Sequence, residues 1–334
     1  MLNHFGVKKK MFEVSLDGRE ELFHGVISLQ KNAYGIMPMR FTDSLYEMYR
    51  TEKYARFSRA RGSAGMRIQF RTIARKMAMK VRFDSFIRAY FGFDVSCDGI
   101  LVKRITQNAA MESFGFEVEL PGEGPKEVKI AFPWQVECTV TSFQLDDVSM
   151  IEPVEIPGKP IAMIGDSITQ GFEVASPGES YAARIADGLG KEWYNLSVGG
   201  MIMRGEANEG ALAYPWDAAV LAYGVNDCSK KVPIEEFRQE TIRSLKALTS
   251  RAGARIFVIT PLPWPGRPAE LSLQDYRDVI IESSGQFKQL TLINGPDLLE
   301  NDSRYFADAV HPNSLGMETM ASKLLPLLRE AGVK

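Results

Sequence analysis

Three residues of this chain have the types and the setting for acyl transfer. Ser167 ends the apolar run of IAMIGDSITQGF (161–172), directly after Gly165-Asp166. A serine there is either a helix N-cap or a nucleophile, and a nucleophilic serine needs a base to take its proton. The histidines are His4, His24 and His311, and only His311 follows residue 160. A neutral imidazole, with an ordinary pKa of about 6.5, can accept that proton near neutral pH. Asp308 lies three positions before His311 in DAVHPN (308–313). That is close enough to fold back within one loop and fix the imidazole tautomer. The oxyanion formed by attack needs preorganised N–H donors. Gly200, in NLSVGG (195–200), lets a backbone N–H approach a substrate closely, and Asn226, in GVND (224–227), offers a side-chain amide.

These residues need a scaffold that brings distant points together. After residue 160, short apolar runs (161–165, 193–198, 218–224, 255–260, 290–294) alternate with helical patterns (179–190, 234–252, 272–286, 314–331). Runs apolar on both faces, alternating with helices, predict a parallel sheet covered on both sides. Such sheets gather their sites at the carboxyl ends of the strands, where Ser167, Gly200 and Asn226 fall. Before residue 150 the pattern differs. Segments such as MAMKVRF (77–83), FEVEL (116–120) and VECTVTSF (136–143) alternate apolar with polar residues, the period of half-buried strands. Asp98-Gly99 between two apolar runs signals a hairpin. A β-sandwich is expected over 1–150, with a helical turn in 43–57. IEPVEIPGKP (151–160), with three prolines, is expected to be an extended, exposed linker before a domain over 161–334.

Composition narrows the function classes. The 334 residues carry a net charge of −2, are 45% hydrophobic and 25% charged, as in an ordinary globular protein without a bias toward nucleic acid or membranes. No apolar run reaches the length of a membrane span, and the N-terminus lacks the apolar stretch of a secretory signal. A cytoplasmic location is expected. Cys97, Cys138 and Cys228 form no C-x-x-C pair, which argues against a disulfide framework or zinc site.

The blocks GDS, NLSVGG, GVND and DAVHPN, in this order, resemble the SGNH or GDSL-type esterase and lipase superfamily over residues 161 to about 330. The leucine of that motif is Ile168 here. No G-x-S-x-G elbow of the α/β-hydrolases surrounds Ser167, since position 169 is threonine. The resemblance implies a flavodoxin-like α/β/α three-layer fold. It makes Ser167 the nucleophile, His311 the base and Asp308 its orienting acid. The oxyanion hole would comprise the Ser167 N–H, the Gly200 N–H (favoured over Gly199 by the spacing from Asn195) and Asn226. No metal or cofactor is implied. The preceding β-sandwich resembles some carbohydrate esterases, so the expected substrate is a short-chain, acetyl-type ester on a carbohydrate. Thioester hydrolysis on acyl-CoA, lysophospholipid hydrolysis and acyl transfer remain alternatives at the same site. A non-catalytic glycan-binding protein is the alternative of another class.

Other residues carry two readings each. Asp166 and Asp227 read as braces of their loops, and Asn313 as the cap of the last helix. In TPLPWPGRP (260–268), Trp264 and Arg267 either shape a substrate pocket or, for Trp264, pack as an anchor. Arg204 either touches substrate or forms a salt bridge. Between residues 40 and 82, twelve basic residues face three acidic ones. They form a solvated strand face or a surface for an anionic or glycan partner, with Tyr54, Phe57, Tyr90 and Phe91 as stacking or core residues.

Overall fold

The structure, a computed structural model, describes residues 10–53 and 57–333. His4, Tyr54 and Arg56 lie outside the described residues.

The N-terminal half is a sandwich of two antiparallel sheets. One has the strand order Ser28–Lys31, Ile36–Met39, Val136–Leu145, Lys76–Phe86, Ser113–Glu119. The other runs Ile151–Pro153, Arg67–Thr72, Lys126–Ala131, Phe91–Cys97, Ile100–Gln107. Met77, Met79, Val81 and Phe83 alternate with Lys80 and Arg82, so every second side chain points into the core. They meet Ile68, Phe70, Val128, Ile130, Phe91 and Phe93 of the facing sheet. The Asp98-Gly99 hairpin forms as expected: Cys97 pairs with Ile100, and φ is 49° and 78° at the two loop residues, the left-handed pair of a tight two-residue turn. The first part of the proline-rich segment is itself a strand. Ile151–Pro153 pairs with Arg67–Thr72 at the sheet edge, where proline's missing N–H costs no ladder bond.

The C-terminal half holds a five-stranded parallel sheet in the order Trp193–Asn195, Ile161–Gly165, Ala218–Ala222, Arg255–Ile259, Leu290–Ile293. Relative to chain order this is 2-1-3-4-5, the flavodoxin-like winding, with helices on both faces. Its topological switch lies between the first and third strands, where ligands bind in such sheets. There Gly165 pairs with Ala222, so the loops carrying Ser167 and Asn226 leave the sheet side by side. Gly165 has no room for a Cβ, which would lie 2.4 Å from Thr169 Oγ1 and 2.6 Å from the Ala222 carbonyl oxygen. Among the described residues, no helix is long and apolar enough to cross a membrane.

The segments 36–53 and 57–61 are more structured than their sequence pattern suggests. Asp43–Thr51 forms a helix capped by Thr42, and Phe57–Arg61 a second. Phe41, Leu45, Tyr46 and Tyr49 pack into the same core as Leu196, Val198, Met201 and Tyr223 of the parallel-sheet half. Near the N-terminus, His24 Nδ1 lies 2.6 Å from Glu192 Oε2, and Arg67 donates to the same oxygen at 2.8 Å, joining the two halves through a largely buried carboxylate. Burial alone would raise the Glu192 carboxyl, but Arg67 and His24 outweigh it and hold it below the usual value.

Candidate active site

Ser167 is the first residue of a single helical turn, Ser167–Gln170, that follows the first strand of the parallel sheet. The cap of this turn is Asp166, whose Oδ1 accepts from the Ile168 N–H at 3.0 Å. The Ser167 hydroxyl is thereby left for another partner, and it lies 2.8 Å from His311 Nε2. His311 Nδ1 lies 2.7 Å from Asp308 Oδ2. The other oxygen of Asp308 accepts the backbone N–H groups of Val310 (2.8 Å) and His311 (2.7 Å), so this turn folds around its own carboxylate. Burial would raise the Asp308 carboxyl, but the bonds from the His311 ring, the His311 N–H and the Val310 N–H outweigh it and hold it low. The Ala307 N–H donates to the His311 carbonyl at 2.9 Å and closes the loop. Asn313 then caps the helix Ser314–Glu330 through the Gly316 N–H. The Phe172 ring packs on the imidazole with centroids 5.7 Å apart.

The residues just before Ser167 also meet the 195–201 segment and Asn226: the Val198 N–H donates to the Gly165 carbonyl at 3.1 Å, and Asn226 bonds to Asp166. Gly199 and Gly200 have different surroundings. The Gly199 N–H donates to Gln170 Oε1 at 2.7 Å, whereas among the described residues no acceptor is bonded to the Gly200 N–H. Gly200 has φ of 80°, a conformation that favours glycine. The Gly199 carbonyl accepts from Arg59 Nη1 at 2.9 Å. In a trans peptide the N–H of the next residue points opposite to that carbonyl, so Arg59 sets the direction of the Gly200 N–H. Asn226, on the turn after the third strand, donates from Nδ2 to Asp166 Oδ2 at 3.1 Å. Burial pushes the Asp166 carboxyl up, while the bonds and charges around it oppose the shift. Asp227 braces the 195–203 segment, accepting the Met203 N–H at 3.0 Å. Burial raises its carboxyl to about 7.

Sequence reading missed the residues that hold the 195–201 segment. Arg40 is fully buried and donates to the carbonyls of Asn195 (3.0 Å), Ser197 (2.7 Å), Arg59 (3.1 Å) and Ala60 (3.0 Å). Its burial lowers the guanidinium pKa to about 10, so it stays charged at neutral pH. Gln170 bridges Arg59 and Gly199, with its Nε2 donating to the Arg59 carbonyl at 2.8 Å. Gln170 lies three positions after Ser167, inside the motif block, and that spacing is the one signal that pointed to it. The basic stretch 40–82 is therefore only partly a solvated face. Arg40, Arg59, Arg61 and Arg67 turn inward onto carbonyls or the carboxylates of Glu137 and Glu192, while Arg75, Lys76 and Arg82 pair with acids at the surface.

The other expected contacts lie further from the hydroxyl network. Arg204 is ion-paired with Glu52 (3.3 Å) and Glu236 (3.1 Å). Trp264 is half-buried against the parallel-sheet core. Its loop supports the acid–base turn from behind: the Gly266 N–H donates to the Ala309 carbonyl at 3.1 Å. Phe91 is core, and Tyr90 donates its hydroxyl to Glu173 Oε2 at 2.9 Å. Glu173, also bound by Arg88, has φ of 67°. Among the described residues, Glu173, Asp308 and His311 are the one grouping whose ligand atoms, all within 4.8 Å, could share a cation. Arg88, Tyr90, Ser167 and the Asp308–His311 pair already engage those atoms.

A hydroxyl, an imidazole and a carboxylate in hydrogen-bonded series are groups that acyl transfer uses. Residues 163–319 match the model of the GDSL-like lipase/acylhydrolase family. That match supports an enzyme of the esterase/acylhydrolase class. The fold of the whole chain, sandwich included, recurs in solved structures. A salicylyl-acyltransferase, SsfX3, from a tetracycline biosynthetic pathway is 18% identical, with a TM-score of 0.82 over 93% of this chain and 94% of that one. A family two carbohydrate esterase from Cellvibrio japonicus is 15% identical, with a TM-score of 0.69 over 96% and 98%. An acetyl xylan esterase from Butyrivibrio proteoclasticus is 14% identical, with a TM-score of 0.65 over 96% and 98%. No curated protein sequence matches the chain. The same two-part fold is thus found both in a protein named an acyltransferase and in proteins named esterases.

Proposed function

We propose that the protein is a serine esterase that removes a short acyl group, acetyl first, from a carbohydrate alcohol. Ser167 Oγ attacks the ester carbonyl while His311 Nε2 takes its proton and Asp308 holds the imidazole. The oxyanion is met by the N–H groups of Ser167 and Gly200 and by Asn226 Nδ2. Collapse expels the sugar alkoxide, which takes the proton back from His311. Water then attacks the acyl-enzyme by the same steps in reverse, releasing the acid and restoring Ser167. The observation that carries this reading is the series Ser167–His311–Asp308 at 2.8 and 2.7 Å. The sugar alcohol and the acetyl group are supported by the carbohydrate esterases that share the fold. In this reading residues 1–150 are an accessory domain and 161–334 the hydrolase domain, joined by 151–160, whose first three residues form the edge strand Ile151–Pro153.

The likeness to a salicylyl-acyltransferase favours a second reading, in which an alcohol replaces water at the acyl-enzyme stage. Purified wild type and Ser167→Ala, assayed on 4-nitrophenyl acetate, test the nucleophile. The variant is expected to lose activity by about 10⁶-fold, and wild-type turnover would end the assignment. Acetate release from acetylated xylo-oligosaccharides, set against thiol release from acyl-CoA, tests the substrate. Activity confined to thioesters would remove the sugar reading.

A further inference from the structure

Two cations outside the recognised sequence blocks hold the peptide and amide groups that carry the proposed oxyanion donors. Lys230 follows the short helix Val225–Ser229. Its Nζ donates to the Gly200 carbonyl at 2.7 Å and to Asn226 Oδ1 at 3.2 Å. The Asn226 amide is therefore held from both ends, with its oxygen against an ammonium and its nitrogen against the Asp166 carboxylate. A flipped amide would put N–H against ammonium and oxygen against carboxylate, so one orientation is enforced. One Nδ2 hydrogen is used by Asp166, and the second remains for a substrate oxyanion. At Gly200 the same ammonium pins the carbonyl after the α-carbon, while Arg59 pins the Gly199 carbonyl before it. Both peptide planes flanking Gly200 are thereby fixed. This matters at a glycine with positive φ, where the backbone has more freedom than elsewhere.

We infer that Lys230, with Arg59, is a positioning residue that preorganises the Gly200 and Asn226 donors for the oxyanion. The inference rests on the proposed roles of Ser167, Gly200 and Asn226. A donor aimed before the reaction costs no reorganisation when charge develops on the carbonyl oxygen, which is where such sites derive most of their rate. The half-buried ammonium adds a positive charge next to that oxygen without touching it. Lys230 recognises no part of the substrate, so its loss acts on kcat and leaves KM alone.

The test uses the full chain and Lys230→Met, which keeps the stem and removes the ammonium. Lys230→Gln, which keeps an N–H donor, serves as a second variant. On 4-nitrophenyl acetate, Lys230→Met is expected to lower kcat by about 10- to 100-fold, less than removal of a direct donor, with KM unchanged. A trifluoromethyl ketone adds to the serine and carries its oxyanion into the same donors. Its inhibition constant is expected to rise by the factor by which kcat/KM falls. Lys230→Gln is expected to recover part of both losses. A merely structural lysine would lower the melting temperature without this matched change. If Ser167→Ala is inactive while Lys230→Met works at the wild-type rate, the positioning role is wrong and the nucleophile stands. A loss confined to KM, or a kcat loss with unchanged ketone affinity, also overturns it. Wild-type activity in Ser167→Ala would overturn both readings together.

Discussion

On one side of Ser167, Asp308 and His311 sit three residues apart in one turn, which Asp308 itself closes through two backbone N–H groups. On the other side, the 195–201 segment takes its bonds from Arg40, Arg59, Gln170 and Lys230, and Arg40 and Arg59 come from the first fifth of the chain. The side proposed for acid and base is local and uses one carboxylate both to shape the loop and to hold the imidazole. The side proposed to meet the oxyanion is assembled across the fold and depends on cations that reach backbone carbonyls. The difference has an electrostatic reason. Carbonyls that do not bond to a neighbouring strand need donors, and a buried guanidinium can satisfy several at once. The region before residue 150 is thus part of what shapes the oxyanion side.

The largest effect that breaks this comparison is expected on the local side. His311→Ala should lower kcat by roughly 10⁴- to 10⁶-fold. The fold should be unchanged, because Asp308 still accepts the Val310 N–H and the backbone N–H at 311. Circular dichroism melts alongside the ester assay check both parts. A variant that loses stability as well as activity would mean that the turn is not self-sufficient.

Arg40→Met should do the opposite, lowering stability first. It strands carbonyls of residues 59, 60, 195 and 197 in a buried site, at a cost of about 3 kcal/mol or more. The urea midpoint reports that loss. kcat should fall with it as the 195–201 segment loosens, even though residue 40 is 127 positions before Ser167 in the chain. Full activity at an unchanged midpoint would show that the oxyanion side holds itself.

The smallest effect sharpens the comparison through pH. Asp227 lies under the oxyanion side with its carboxyl raised by burial to about 7, against an ordinary value of about 3.9. Between those values the folded state keeps a proton that the unfolded state has lost. Stability contributed by this group is present at low pH and declines as pH rises toward 7, by at most about 1.4 kcal/mol per pH unit. Urea midpoints of wild type and Asp227→Asn across pH 4.5 to 7.5 should differ by that slope. Parallel curves would mean that Asp227 is charged throughout.

Much of the site is legible in the amino-acid sequence. Ser167, Asn226, His311 and Asp308, the residues proposed for the chemistry, occupy strand ends or turns that local pattern already marks. The alternation of strands and helices after residue 160, and the period-two strands before 150, follow from which side chains must leave water. The support for the proposed nucleophile over a cap at Ser167 comes from the fold, through Asp166 taking the Ile168 N–H and His311 arriving from 144 residues away. The inward turn of Arg40, Arg59, Arg61 and Arg67 is hidden for the same reason. A basic side chain on an alternating strand or short helix looks solvated until the carbonyls and carboxylates it meets are known. Sequence alone determined the chemistry on offer, because residue type and local spacing fix which groups can donate, accept or attack. Tertiary structure decided which backbone N–H groups are free to receive charge, because that depends on where every competing carbonyl and cation comes to rest.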